Sequence, residues 1–551
     1  MKGVCAPVLV LLSLCVAGRA AGAQASLPPV APVVPCASLR GFDPKIAEAP
    51  TQISDARETQ VEGKPMCVVK GYVSPQIQFE VRLPTQGWTQ RYLQTGCAGL
   101  CGTLSVRAPQ RACPMLQRGE LATASTDMGH QGQGGTWGAS DPQLRVDFAY
   151  RGVHATALVA KALIAQFYGQ PPRWSYFSGC SEGGREGMME AQRYPDDFDG
   201  IAAGAPAFNF LVQNSLYHAW NARAVAPDST GPVLLPRDLA VLHAAALAAC
   251  DSVDGLTDGL VATPTGCHFD PSTVECRGAP QTDCLTPAAV AAATAIYSGA
   301  RSATGQRLVI GGPQPGSELS WAGVFVPQNP QAPSFSAIIA SDVLRSLAYW
   351  HPLPSTWTPA QLRFEPSTLA GLMPMHGLYD ATNPNLTAFA RRHGKLLMWH
   401  GWSDPHISPL NSIAYAQAVT DRLGTASRDV LRLFLIPGMY HCGGGDGLAS
   451  IDPLTPLMAW VEGGTAPDSL IASRSDADAA AGKGRTIAAW PATSVLTKGA
   501  DPDLPTSWHE GPPLVVPAKL YATWAGARLF VPGYEKECGF QGATFSCRPR
   551  R

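Results

Sequence analysis

The chain has 551 residues, with 41 Lys and Arg against 42 Asp and Glu, and 45% of it is apolar. A balance this close to neutral, without a clustered basic face, excludes nucleic acid as the expected partner. The length exceeds one ordinary domain and suffices for a sizeable core.

Residues 1–23 read as an export signal. Lys2 supplies the charged start, Ala6 to Ala17 the apolar stretch, and Ala21-Gly22-Ala23 the small-residue cleavage site. That stretch is too short to span a bilayer, and no later run reaches the roughly 18 apolar residues of a membrane span. Removing Lys2 and Arg19 from the 41 basic residues leaves 39 against 42 acidic ones, a balance of −3. Of 15 cysteines, Cys5 and Cys15 leave with the signal and 13 remain. Export with that many cysteines implies an oxidising compartment, secreted or periplasmic, and a disulfide framework. Spacing suggests Cys250–Cys267, Cys276–Cys284 and Cys538–Cys547 as local pairs, with Cys36–Cys67 and Cys180–Cys442 as longer ones. Cys97, Cys101 and Cys113 are then left over, with their pairing open.

Cys67 to Tyr72 and Gln76 to Leu83 alternate with period two and predict an antiparallel strand pair. Arg91 to Gln94 predicts a strand feeding the small-residue loop Thr95 to Gly99, and Leu121 to Ala124 another short strand. His154 to Tyr168 has helical spacing and stops at Gly169. Trp174 to Ser178 predicts the next strand, Gly187 to Arg193 a helix, and Phe198 to Ala203 a further strand. No strand–helix rhythm is visible from about Pro206 to Thr382. It resumes with Lys395 to His400 and Val430 to Ile436. The expected architecture is an α/β-hydrolase fold formed by residues 24–206 and 384–551, with 207–383 inserted as a lid.

Gly179-Cys180-Ser181-Glu182-Gly183 has the G-x-S-x-G pattern of a nucleophile elbow and stands between a predicted strand and a predicted helix, as that motif requires. A serine hydroxyl needs a base, and the base needs a third group to orient it. Asp404, in Gly401-Trp402-Ser403-Asp404, and His441, in Pro437-Gly438-Met439-Tyr440-His441-Cys442, follow the two later strands in the order Ser, Asp, His. If Ser181 and His441 meet, their neighbours Cys180 and Cys442 come within disulfide reach. The expected oxyanion donors are the N–H groups of Glu182 and, in the loop after the Arg91 strand, Ala98. Asp127 and His130 read as structural, since His130 precedes the nucleophile strand. His400 and His406 read as packing or surface residues.

Asp251, Asp254 and Asp258 lie within eight residues with Gly255 and Gly259 between them, an oxygen-rich loop suited to calcium. It is not an EF-hand, because Ala262 stands at loop position twelve.

Taken together, the elbow, the Gly401 and Pro437 motifs and the Asp loop resemble the tannase and feruloyl esterase family over most of residues 60–547. The resemblance implies a serine esterase whose nucleophile and base are tied by Cys180 and Cys442. It also implies a structural calcium ion in the lid, held by Asp251, Asp254, Asp258 and the carbonyls of Leu256 and Leu260. Its substrates are small aromatic esters: gallates, hydroxycinnamates and, in one branch, the monoester of terephthalate with ethylene glycol. Gly183 to Glu190 resembles that branch. Glycine-rich sequence is usual where Cys97 and Cys101 stand.

Phe208, Phe210, Tyr217, Trp220, Trp321, Phe325, Phe335, Tyr349 and Trp350 supply enough rings for an aromatic slot in the lid, or for its core. A substrate carboxylate favours an arginine fork, and residues 311–340 contain no Arg or Lys, with Arg307 and Arg345 the nearest. A feruloyl or galloyl acyl group is therefore expected, with the terephthalate monoester as the alternative. The intact Ser181, Asp404 and His441 argue against a catalytically silent calcium-dependent binding protein.

Overall fold

The computed structural model describes residues 24–46, 48–108, 110–111, 113–228, 231–278, 282–354, 356–532, 536–541 and 544–549. The expected export signal lies outside them.

Nine strands form the central sheet: β1 (Thr51–Val61), β2 (Lys64–Val73), β3 (Ile77–Pro84), β4 (Arg91–Thr95), β5 (Ala122–Thr126), β6 (Trp174–Cys180), β7 (Gly200–Gly204), β8 (Lys395–Gly401) and β9 (Leu431–Ile436). Their order is β1-β2-β3-β5-β4-β6-β7-β8-β9. β1, β2, β3 and β5 pair antiparallel, with Cys67 opposite Leu83, and every pair from β5 to β9 is parallel. The parallel strands are almost wholly buried, so they read as continuous apolar runs rather than alternating ones. This is the α/β architecture expected from the sequence.

Register explains where a site can form. Cys180 pairs with Gly204, Gly204 with Trp399, and Trp399 with Phe434, so β6 to β9 end nearly level. Gly204 is glycine for a packing reason: a Cβ there would meet the Trp399 ring at 2.2 Å. The chain leaving each strand therefore enters the same edge, the usual location of ligands in open α/β sheets.

Helix Gly152–Tyr168 buries its alanine and leucine face and ends at Gly169 with φ +73°. Helix Glu182–Arg193 starts directly after Ser181, five residues before the sequence predicted. Between β7 and β8 the described residues add helices and turns but no strand to the sheet, including His218–Val225, Pro236–Cys250, Pro287–Ser298, Phe335–Ser346 and Pro366–Tyr379. Phe208, Phe210, Tyr217, Trp321 and Phe325 are buried in the core. Trp220, Phe335 and Tyr349 are packed against it, and Trp350 is exposed. Most of the candidate slot is thus core.

Five disulfides are described: Cys36–Cys67, Cys97–Cys101, Cys180–Cys442, Cys250–Cys267 and Cys276–Cys284. The register sets Cys538 opposite Cys547 in the last strand pair. The odd cysteine is Cys113, buried as a free thiol whose pKa burial pushes up to about 11, which leaves it unreactive. Among the described residues no helix is long and apolar enough to cross a membrane.

Candidate active site

Ser181 occupies the turn between β6 and helix Glu182–Arg193 with φ +63° and ψ −119°, a conformation few non-glycine residues hold. The flanking glycines make that turn possible. A Cβ on Gly179 would meet the Gly183 carbonyl oxygen at 2.3 Å, and one on Gly183 would meet the Cys97 carbonyl oxygen at 2.9 Å. The Ser181 N–H donates to Gly204 at 2.9 Å and its carbonyl accepts from Ala207 at 2.9 Å, so the strained turn is fixed from β7.

Asp404 follows β8 in a tight turn, its Oδ1 accepting the N–H groups of His406 (2.8 Å) and Ile407 (3.1 Å). Its Oδ2 accepts from His441 Nδ1 at 2.7 Å and lies 3.2 Å from His400 Nε2. Burial works to raise the Asp404 pKa, but His441 and His400 overcome it and hold the carboxylate ionised, well below its ordinary range. The Nδ1 bond fixes the His441 tautomer and leaves Nε2 as the basic nitrogen. The Cys180–Cys442 disulfide joins the residues beside Ser181 and His441, with Cα atoms 5.8 Å apart.

The loop after β4 touches the elbow through its backbone. Gly183 N–H donates to the Cys97 carbonyl at 3.0 Å, and a Cβ on Gly96 would meet Gly183 Cα at 2.6 Å. Glu182 is the first helical residue, so its N–H has no intrahelical acceptor. Neither it nor the Ala98 N–H has a hydrogen-bond partner among the described residues. The Glu182 carboxylate is buried against Arg185, whose Nε lies 2.7 Å away, and Arg185 also donates to the carbonyls of Ala149 (2.7 Å), Phe148 (2.9 Å) and Tyr379 (3.1 Å). Arg185 thereby connects the elbow helix to the end of helix Pro366–Tyr379.

Glu186, one turn further on, lies under the Cys97–Cys101 disulfide. Its Oε2 accepts the Cys97 N–H at 3.3 Å, and its Oε1 lies 2.9 Å from the Cys97 sulfur. Burial first, and the charge of Glu182, push its pKa up to about 8. An ordinary glutamate value of 4.5 applies to the unfolded chain. Folding therefore takes up a proton between those two pH values, and this group's penalty on stability grows as pH rises from 4.5 to about 8. Glu186→Gln, neutral throughout, is expected to gain urea midpoint over the parent at pH 8 but not at pH 5. An equal difference at both pH values would contradict this.

Asp127 accepts from the N–H groups of Gln78 (2.9 Å) and Gly129 (2.8 Å), and His130 Nε2 bonds the Leu100 carbonyl at 2.7 Å. Both serve structure, as expected. His400 is buried and bonded to Ser412 Oγ (2.7 Å) and the Ile407 carbonyl (2.9 Å) while facing Asp404. His406 is the packing residue of the two alternatives, and what it packs on is the site: its ring centroid lies 4.6 Å from that of His441. Asp404-Pro-His406 carried one usable signal: an Asp side chain bonding the N–H two residues on turns the next side chain back toward it.

An open hollow on the other loops is lined by Gln110, Arg111, His441, Cys442, Gly443, Gly444, Ala449, Ser450 and Asp476. Gln110 donates to the Cys442 carbonyl and accepts the Ile451 N–H at 3.2 Å, so the loop after β4 clasps the His441 loop. Arg111 lines this same hollow, a basic residue outside the 311–340 stretch. Arg307 is instead occupied by the carbonyls of Ile310 (2.6 Å) and Thr523 (3.0 Å).

In the acidic loop, Asp251 accepts the N–H groups of Asp258 (3.1 Å) and Gly259 (2.9 Å), and Asp254 that of Leu256 (3.0 Å). Asp258 accepts from Leu260 N–H at 3.2 Å and pairs with Arg485. Burial, with the charges of Asp258 and Asp251, raises the Asp254 pKa. Crowded, all-oxygen donors of this kind fit a hard cation such as calcium. Among the described residues the three carboxylates do not close into one tight ligand set. Backbone carbonyls would have to complete a calcium shell.

The model of the family described as tannase and feruloyl esterase matches residues 59–504. The chain belongs to that family. A mono(2-hydroxyethyl) terephthalate hydrolase from Piscinibacter sakaiensis is 33% identical over 515 residues, covering 81% of this chain and 82% of that protein. A probable feruloyl esterase from Arthroderma benhamiae is 33% identical over 486 residues, covering 82% and 86%. Among solved structures, feruloyl esterase B from Aspergillus oryzae superposes with a TM-score of 0.74 at 26% identity, over 86% of this chain and 99% of that one. This tannase-family member is a carboxylic ester hydrolase with the α/β-hydrolase type of fold.

Proposed function

We propose that this esterase is exported and hydrolyses esters of aromatic acids of the feruloyl or galloyl type, through a Ser181–His441–Asp404 triad and an acyl-enzyme. The observation that carries the proposal is the 2.7 Å bond between His441 Nδ1 and Asp404, on a loop tied by Cys442 to the residue before Ser181. Ser181 Oγ attacks the ester carbonyl while His441 Nε2 takes its proton. Charge developing on the carbonyl oxygen is met by the N–H groups of Glu182 and Ala98, which no acceptor among the described residues competes for. The imidazolium, stabilised by Asp404, then protonates the departing alcohol. Water activated by the same imidazole releases the aromatic acid and restores Ser181. Five disulfides suit an oxidising compartment, in keeping with export.

The alternative acyl group, a terephthalate monoester, gains support from Arg111, since a guanidinium matches a free carboxylate. Comparing kcat/KM for methyl ferulate, methyl gallate and mono(2-hydroxyethyl) terephthalate separates the two. A monoester preferred over both phenolic esters would overturn the feruloyl or galloyl assignment.

A structural calcium ion belongs to the same proposal, held by the carboxylates of Asp251, Asp254 and Asp258 and the carbonyls of Leu256 and Leu260. It would neutralise the crowded carboxylates and cross-link a loop that Cys250–Cys267 already brackets. Because a ligand of the folded state alone stabilises it by mass action, chelation is expected to lower Tm while activity well below Tm changes little. Identical melting curves for metal-stripped and calcium-loaded protein would remove the ion.

A further inference from the structure

His406 is placed beside the reacting groups and left without a task. Its ring lies 4.6 Å from His441 at a tilt of 35°, and Phe335 meets it edge-on at 4.6 Å. His218, 6.2 Å away, closes the same wall and is itself held by Ser336 Oγ at 2.8 Å. Both backbone groups of His406 are fixed: its N–H donates to Asp404 at 2.8 Å, and its carbonyl accepts from Gln213. With its backbone fixed and its ring packed between His441 and Phe335, the imidazole is placed before any substrate arrives, which lowers the ordering cost of binding to it. Yet neither ring nitrogen has a hydrogen-bond partner among the described residues, and the residue is half-buried.

We propose that His406 is a specificity residue for the leaving alcohol, hydrogen-bonding a hydroxyl on the carbon next to the ester-bearing one. The proposal rests on the triad assigned above. His441 delivers its proton to the leaving oxygen, so a group bound beside His441 lies on the alcohol side of the ester. Oxygens on adjacent carbons stand about one hydrogen-bond length apart, roughly 3 Å. Two imidazoles with centroids 4.6 Å apart are spaced to engage one such oxygen each. The chemistry of His406 also fits a hydroxyl. Burial, then the charge of His441, holds its pKa well below the ordinary value, so the ring is neutral and offers one donor and one acceptor. A hydroxyl can bond whichever nitrogen faces it, accepting from the N–H or donating to the bare nitrogen, whereas a carboxylate only accepts and an alkyl group does neither. The preferred substrates are therefore aromatic esters of glycols, glycerol or sugars over those of simple alkanols.

The test gives the purified enzyme three esters of ferulic acid: methyl, n-propyl and 2-hydroxyethyl. The last two are nearly isosteric, so their kcat/KM ratio isolates the terminal hydroxyl. The parent is expected to favour the hydroxyethyl ester over the propyl ester by about tenfold, the effect of one neutral hydrogen bond. In His406→Phe, which keeps an aromatic ring against His441, the ratio is expected to fall to about one. His406→Gln, which retains a donor and an acceptor, is expected to keep part of the preference. A parent ratio of one, measurable without any variant, overturns the proposal. So does an unchanged ratio in His406→Phe with all esters slowed equally, which would make the residue only a support for His441. Failure of the triad is distinguishable, because it would show as methyl ferulate turnover persisting in Ser181→Ala.

Discussion

Ser181→Ala is expected to lower kcat on methyl ferulate by at least about 10⁴-fold, with a melting curve superimposable on the parent's. The size follows from the cooperation of the triad. His441 and Asp404 have no hydroxyl to activate once Ser181 is gone, and what remains is binding and oxyanion stabilisation. Stability is expected to hold because the elbow is fixed by its backbone. Ser181 N–H to Gly204, Ala207 N–H to Ser181 carbonyl and the Gly179–Gly183 approach all survive the loss of one oxygen. Alanine carries the same Cβ into φ +63°, so the strain is unchanged. Near-parental turnover in the folded variant would move the nucleophile elsewhere, and unfolding would make the hydroxyl a structural group.

The part of this site that could be read from the chain is the part set by local strand–turn–helix chemistry. β6 with its elbow, and the strands that deliver Asp404 and His441, each announce themselves by an apolar run ending in glycine and polar residues. Once those strands are parallel neighbours, their level ends follow from register. β1 escaped because Thr51–Val61 is an edge strand with much of its surface exposed and no apolar face to reveal its period. The Cys97–Cys101 pair was hidden because two cysteines four residues apart can bond only if the loop turns tightly, as it does with Cys101 at φ +63°. Gln110 bonds the His441 loop, and Arg111 lines the same hollow, from more than 300 residues away, and no pattern within either loop records that meeting. The aromatic residues of 207–383 misled in the opposite direction. A ring has the same appearance in a sequence whether it lines a slot or fills a core, and burial assigned most of these to the core.

Replacing both cysteines of the tether, Cys180→Ala/Cys442→Ala, is expected to cost both stability and rate, and the two losses can be separated. The bond spans 262 residues and closes a large loop of the unfolded chain. Its removal is expected to cost roughly 2–5 kcal/mol. The rate argument is local. His441 is followed by Cys442 at φ +68° and then by Gly443, Gly444 and Gly445, the last two also at positive φ. Without the disulfide, that stretch keeps the Gln110 side chain on the Cys442 carbonyl, the bond from His441 to Asp404 and the backbone bonds of Gly444 with Tyr440 and Ala449. Misplacing a catalytic group by about 1 Å can cost around 100-fold, so kcat is expected to fall about 10- to 100-fold. The assay belongs at a temperature where circular dichroism shows the variant fully folded, which removes the stability loss from the comparison. Gln110→Ala in the same background is expected to deepen the loss, because it removes the side-chain clasp on the Cys442 carbonyl. Parental kcat in the folded double variant would reduce the bond to a staple of the fold. Recovery of Cys180 as a free thiol from the native protein would remove the tether altogether.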